Sequence, residues 1–197
     1  MSVKIYPEDY PPEALQAAKR KIEALLSWEG LVSRNPEAAT FLTLPHRVYF
    51  LRSRGLAGVG PLRASVDFGG WRFLVSQEAQ AIAAVTTWQG DGEWRVSSVR
   101  PGTWASATRA ALTGEGLDGG PYTLAYLWCR RKFVAALWLQ TESGQGEKVI
   151  PLPYVRGLTA LRPTTPDAYL EAMRRPTSHA PGIVAAARAD RLSPLGG

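Results

Sequence analysis

The chain has 197 residues, 45% hydrophobic and 20% charged, with a net charge of +6 and a pI near 9.7. That composition excludes a disordered or fibrous chain and supplies one full hydrophobic core. The single cysteine, Cys129, excludes an internal disulfide and points to a reducing, cytoplasmic setting. The opening MSVKIYPEDYPPEAL lacks a signal-peptide core, and no apolar run approaches the roughly 18–20 residues of a membrane span, so no membrane partner is expected.

In chain order, residues 11–28 are expected to form the first helix. Pro11 and Pro12 suit a first turn, Leu15, Ala18, Ile22, Leu25 and Leu26 recur on one face, and Gly30 is a natural stop. Asn35–Ala39 reads as a short helical turn capped by Asn35. His46–Ser53 is β-rich and bounded by Pro45 and Gly55, and residues 55–62 form a Gly-rich loop. Arg63–Phe68 alternates, with Ala64, Val66 and Phe68 on one face. Gly69-Gly70 then signals a two-residue hairpin, with Trp71–Gln77 as its return strand. Ala81–Trp88, a turn over Gln89–Gly92 and Glu93–Val99 follow, and Pro101-Gly102 ends the run.

Thr103 is placed to cap a short helix over 104–112, and residues 114–120 make a flexible Gly-rich connection. Next come the strand Tyr122–Cys129, a turn at Arg130-Arg131, the strand Lys132–Gln140, a turn over Ser143–Gly146 and the strand Glu147–Leu152. Thr165-Pro166-Asp167 starts a helix that continues to Arg175. Residues 176–197, rich in Ala, Arg and Pro, are expected to form a flexible basic tail.

The expected fold class is α+β, with antiparallel sheet built from two three-strand meanders, Trp71–Val99 and Tyr122–Leu152, each preceded by a helix. A helix followed by a curved antiparallel sheet is loosely similar, in element order, to cystatin-like folds; no family signature accompanies it. Residues 1–175 form one domain, with 1–102 and 103–175 as sub-units. Strands of the first meander alternate, as in a sheet with one wet face. In the second, Leu124–Trp128 and Phe133–Leu139 are apolar on both faces, so that sheet needs cover on both sides from helices or from a second copy of the chain.

Chemistry-bearing patterns are sparse. His46 and His179 are 133 residues apart, and neither His46 nor Cys129 belongs to a nucleophile signature. There is no CxxC, no HExxH and no pair of histidines at helical spacing. Asp91 with Glu93, and Glu115 with Asp118, are explained by turns. The strings GLAGVGPL and GEGLDGG lack the Gly-Lys-Ser/Thr ending of a phosphate loop. No catalytic residue, metal ligand or cofactor is assigned.

The positive charge is uneven: residues 1–60 carry +2, 61–120 carry −1 and 121–197 carry +5. Eighteen of the basic residues are Arg and five are Lys, which suits bidentate phosphate contacts, although a GC-rich bacterial genome gives the same bias. Trp71, Trp88, Trp94, Trp128 and Trp138 fall on expected strands, with Arg72 and Arg95 alternating beside Trp71 and Trp94. Aromatic side chains on an open sheet can stack unpaired bases while arginines hold the backbone. The sequence therefore points to a non-catalytic DNA- or RNA-binding accessory protein. Arg130, Arg131 and Lys132 are its phosphate contacts, Arg174 and Arg175 assist, and Trp94 and Trp128 are stacking candidates. The alternative is a protein-binding or homo-oligomerising module, a homodimer formed through 122–152.

Overall fold

The computed structural model describes residues 4–6, 8–26, 39–57, 60–78, 80–114, 116–117, 120–152 and 158–175. Within them lie, in chain order, β1 (Ile5–Tyr6), α1 (Pro12–Leu26), β2 (Thr40–Leu51), the five-residue α2 (Ser53–Ala57) and a 3-10 turn at Leu62–Ser65. These are followed by β3 (Val66–Gln77), β4 (Gln80–Gly90), β5 (Glu93–Pro101), α3 (Thr103–Leu112), β6 (Tyr122–Cys129), β7 (Val134–Gln140), β8 (Lys148–Pro151) and α4 (Pro166–Arg174). Most of the helical turn expected over 35–39, and the whole tail over 176–197, fall outside the described residues.

All eight strands join one sheet in the order β5-β4-β3-β2-β6-β7-β8, with β1 beside β6. Five pairings are antiparallel. The two parallel ones both use β6, whose first residues pair with β1 and whose later residues pair with β2. The chain is thus α+β with a large, mostly antiparallel sheet. The finer expectation of two separate helix-led meanders in a cystatin-like order is not established by this topology, because β2 joins the runs β3–β5 and β6–β8 into a single sheet.

Two strands depart from the sequence reading for identifiable reasons. β2 begins at Thr40 and runs through Pro45, which has no N–H for the ladder. The strand absorbs it in an irregularity between Thr43 and His46, with Leu44 at φ +50. Gly69-Gly70 is not a hairpin. Val48 faces Gly70 and Tyr49 faces Phe68, so Gly69 is the extra residue of a bulge inside the continuous β3. Close approach selects glycine at both positions. A Cβ on Gly69 would lie 2.3 Å from the Phe50 ring, and one on Gly70, at φ +132, would lie 1.9 Å from the Thr87 carbonyl oxygen. Arg63 and Ala64 accordingly sit in the 3-10 turn and not in a strand.

Other turns are tighter or longer than expected. The β4–β5 hairpin closes on Asp91-Gly92, both at positive φ, the conformation a two-residue type I′ turn requires. The β6–β7 turn takes four residues, Arg130–Phe133, because Cys129 and Val134 are the last pair. Lys132 is therefore in the turn. The N-cap of α3 is Gly102, without a side-chain capping bond. Thr165 does cap α4, accepting from the Ala168 amide at 3.2 Å, with Pro166 in the first turn.

Helices cover both faces of the sheet. On one face Ala14, Ala18 and Ile22 of α1 pack on Trp71, Phe73 and Val85. Tyr169, Leu170 and Met173 of α4 pack on Ala125, Leu127 and Cys129 of β6 on that same face, and the ring contacts Tyr49–Phe68 and Phe68–Trp71 bridge the two clusters. On the opposite face α3 lies over Leu74 and Ala84 through Ala105, and over the cluster of Tyr126, Leu137 and Ile150 through Ala111 and Leu112. The two-sided apolar strands β6 and β7 are thus covered within the chain, each fully buried Leu contributing about 1.5–3 kcal/mol. The expected wet face of the first run is corrected by the same geometry: Trp71–Gln77 are all buried, and only β5 alternates. A buried carboxylate is satisfied on the α4 side, where Glu147 accepts from Trp138 Nε1 at 3.0 Å and from Arg63 Nε at 2.9 Å.

Candidate nucleic-acid interface

The turn Arg130–Phe133 projects from the β6–β7 end of the sheet. It is closed by the Lys132 and Phe133 amides, which donate to the carbonyls of Cys129 and Arg130 at 3.3 and 3.4 Å. Arg130 and Arg131 are exposed, and neither forms an ion pair among the described residues. Arg130 lies over the Phe50 ring, 4.3 Å from its centroid. Phe133, the last residue of the turn, is 78% exposed and at φ +52.

Packing of α4 on β6 brings the end of that helix alongside the turn. Lys132 Nζ donates to the Arg175 carbonyl at 2.6 Å, joining segments 43 residues apart. That bond sets the end of α4, with Arg174 and Arg175, beside Lys132, while Arg130 lies over Phe50 on the α3 side. Part of this charge has a local role: the carbonyl end of a helix favours cations, and Arg175 Nη2 donates to Glu171 Oε1 at 2.7 Å across one helical turn. Arg130, Arg131 and Phe133 are the members that no such pairing explains.

The two tryptophans stand apart from each other. Trp128 is half-buried on the α3 face, edge-on to Trp104 at 6.4 Å, with the Arg100 guanidinium 5.7 Å from its ring. It pairs in register with Phe50, so the Arg100–Trp128 and Arg130–Phe50 stacks are neighbours. Trp94 lies on β5 and packs on the α1 side of the sheet, opposite the face that carries Trp128. It lines a shallow cleft of about 370 Å³ with Arg20, Lys21 and Arg95, against α1. Arg95 is paired with Glu93 at 3.0 Å. The structure thus sets Lys132 beside the end of α4, puts Arg130 and Trp128 on the α3 side of the sheet, and leaves Trp94 on the α1 side.

Sequence reasoning missed Phe133, Phe50 and Arg100. Phe133 carried a usable signal, an aromatic residue directly after Arg-Arg-Lys in a turn. The Arg100 and Phe50 stacks depend on strand pairing and had none.

Other chemistry is not assembled. His46 faces the α3 side near Tyr126, whereas Cys129 faces α4, so they lie on opposite sides of the sheet. Burial, with the nearby Arg72 charge opposing protonation, lowers the His46 pKa to about 3. Among the described residues no group of three His, Cys, Asp or Glu side chains could hold a metal ion, and no helix is long and apolar enough to cross a membrane. A cleft of about 740 Å³ opens at the other end of the sheet, between β2, β3 and α3, where Thr43 and Ser76 hydroxyls meet at 3.0 Å. No protein-family model, no curated protein and no solved structure matches this chain.

Proposed function

We propose that this chain is a non-catalytic nucleic-acid-binding accessory protein. It holds phosphates on Arg130, Arg131 and Lys132, with Arg174 and Arg175 beside them. The observation that supports this is the 2.6 Å bond from Lys132 to the Arg175 carbonyl, which sets the basic end of α4 beside the basic turn. Exposed Phe133 offers a ring on which an unpaired base can stack. In this reading Trp128 is the support of the Arg100 stack, and Trp94, with Arg20 and Lys21, is a second contact for a longer strand. The reading treats β3–β5 and β6–β8 as two meander units flanking β2, with the basic edge on the second, and places the protein in a reducing compartment where Cys129 stays free. The alternative, a homodimer through 122–152, loses the observation that suggested it, because α3 and α4 cover both faces of that region.

Fluorescence anisotropy with labelled single-stranded, duplex and nicked DNA, and with RNA, tests the proposal. Affinity is expected to fall steeply between low and physiological salt. Replacing Arg130, Arg131 and Lys132 by Ala is expected to reduce the log–log salt slope by about 0.7–0.9 for each phosphate the variant no longer neutralises. No binding at low salt, or binding unchanged in the triple variant, overturns it.

A further inference from the structure

Arg72 sits in mid-β3 and is only 2% exposed. Its cross-strand partners are His46 on β2 and Thr86 on β4. Nη1 donates to Thr86 Oγ1 at 3.0 Å, and the guanidinium stacks 4.3 Å from the centroid of the Tyr126 ring. Nε and Nη2 are buried and have no hydrogen-bond partner. A guanidinium remains protonated in a protein, and a buried charge is ordinarily paired with an opposite one, because leaving it alone is costly.

Among the described residues no carboxylate forms an ion pair with Arg72. Burial lowers its pKa, with the neighbouring Tyr126 opposing and Arg100 adding to that shift, and its charge in turn opposes protonation of His46. Arg100 is exposed and stacked on Trp128, two residues along β6 from Tyr126 on the same face. The neighbouring His46 cannot supply the missing negative charge. Its Nδ1 lies 2.6 Å from the Leu44 carbonyl, which can only accept, so Nδ1 carries the proton and Nε2 is left as a neutral lone pair, itself unpartnered. The α3 face therefore holds buried Arg72, its Nε and Nη2 unpartnered, over Tyr126, and exposed Arg100 over Trp128, two residues further along β6.

We propose that Arg72 and Arg100 form a receptor for a phosphate-sized oxyanion, entering past Arg100 and accepting from Arg72 Nε and Nη2 in the fork geometry that guanidinium presents. The site stands whether or not the basic turn binds nucleic acid, since it shares no residue with it. Its anion comes either free from solution or as the terminal phosphate of a nucleic-acid strand.

The test is thermal unfolding of the full chain in sodium phosphate against sodium chloride at matched ionic strength. Isothermal titration with inorganic phosphate accompanies it. Wild type is expected to gain Tm with the logarithm of phosphate concentration. Arg72→Met should abolish the response, and the exposed Arg100→Gln should weaken phosphate binding about tenfold. Should Arg72→Met fail to fold by circular dichroism, Arg100→Gln alone decides. Comparing 5′-phosphorylated with 5′-hydroxyl oligonucleotides separates the sources. An Arg100-dependent preference for the phosphorylated end identifies the strand terminus, and a response to inorganic phosphate without that preference identifies the free anion; both support the site. Equal Tm in phosphate and chloride, or a phosphate response unchanged in Arg100→Gln, overturns it.

Discussion

Arg130 and Arg72 make the same contact in two different media. Each guanidinium lies 4.3 Å from the centroid of an aromatic ring, Phe50 for Arg130 and Tyr126 for Arg72. Arg130 is at the surface, where water solvates its remaining N–H groups and the stack adds only about 0.5–1 kcal/mol. Arg72 is enclosed by β2, β4, β6 and α3, and its cost is set by the N–H groups that nothing satisfies. The ring contact alone therefore says little about what an arginine does. Its exposure decides whether the charge is a handle for a partner or a feature the interior must accommodate.

The largest expected effect separates the two arginines directly. Arg72→Ala relieves an unpaired buried charge but removes the Thr86 hydrogen bond and the Tyr126 stack and leaves a cavity, and the net is expected to lower stability by about 2–4 kcal/mol, whereas Arg130→Ala is expected to stay within about 0.5 kcal/mol. Urea denaturation at pH 7.5 measures both. Comparable destabilisation by the two substitutions would erase the distinction.

A second effect is confined to the buried region. His46 is fully buried, and its pKa falls from the ordinary 6.5 to about 3. Above pH 6.5 neither state binds the proton, and the contribution to stability is complete. Below it the unfolded chain takes up a proton that the folded chain refuses, so stability drops with falling pH until about 3. The slope of about 1.4 kcal/mol per pH unit implies a loss of about 3 kcal/mol from this group by pH 4.5. Arg130→Ala should retain that acid limb in full, and His46→Gln should flatten it. A His46 ring signal that titrates near pH 6.5 by NMR would contradict the assignment.

The contrast also marks how far the sequence could be read. Helix α1, strand β6 and the Thr165-Pro166 start of α4 announce themselves through helical spacing, an unbroken apolar run and cap chemistry, all of which are local. Gly69-Gly70 misleads because a two-residue hairpin and a bulge under a crowding strand both select glycine. Only the Thr87 carbonyl and the Phe50 ring, far along the chain, distinguish them. Arg72 reads as a wet-face residue between Trp71 and Phe73, since the alternation shows two faces and not that α3 lies over the second. The basic turn is legible as three consecutive charges. Its union with the end of α4 is not, because that depends on how the helix packs on β6.

Phe133 gives the smallest effect on stability and the cleanest test of whether the exposed region is a handle. It is held at φ +52, a conformation that costs an L-residue roughly 1–2 kcal/mol, with 78% of its surface in water. Glycine adopts that φ freely but has more unfolded-state entropy to lose, an offset of about 0.5–1 kcal/mol. Phe133→Gly is therefore expected to leave stability unchanged or to raise it by up to about 1.5 kcal/mol. If an unpaired base stacks on the ring, the same substitution should weaken single-stranded binding by about 1–3 kcal/mol in the anisotropy titration while the salt slope, set by the arginines, stays where it was. Affinity falling as stability holds or rises separates a contact to the ligand from a contact within the fold. Affinity that does not move assigns Phe133 to the turn alone and leaves the phosphate contacts as the whole of the exposed site.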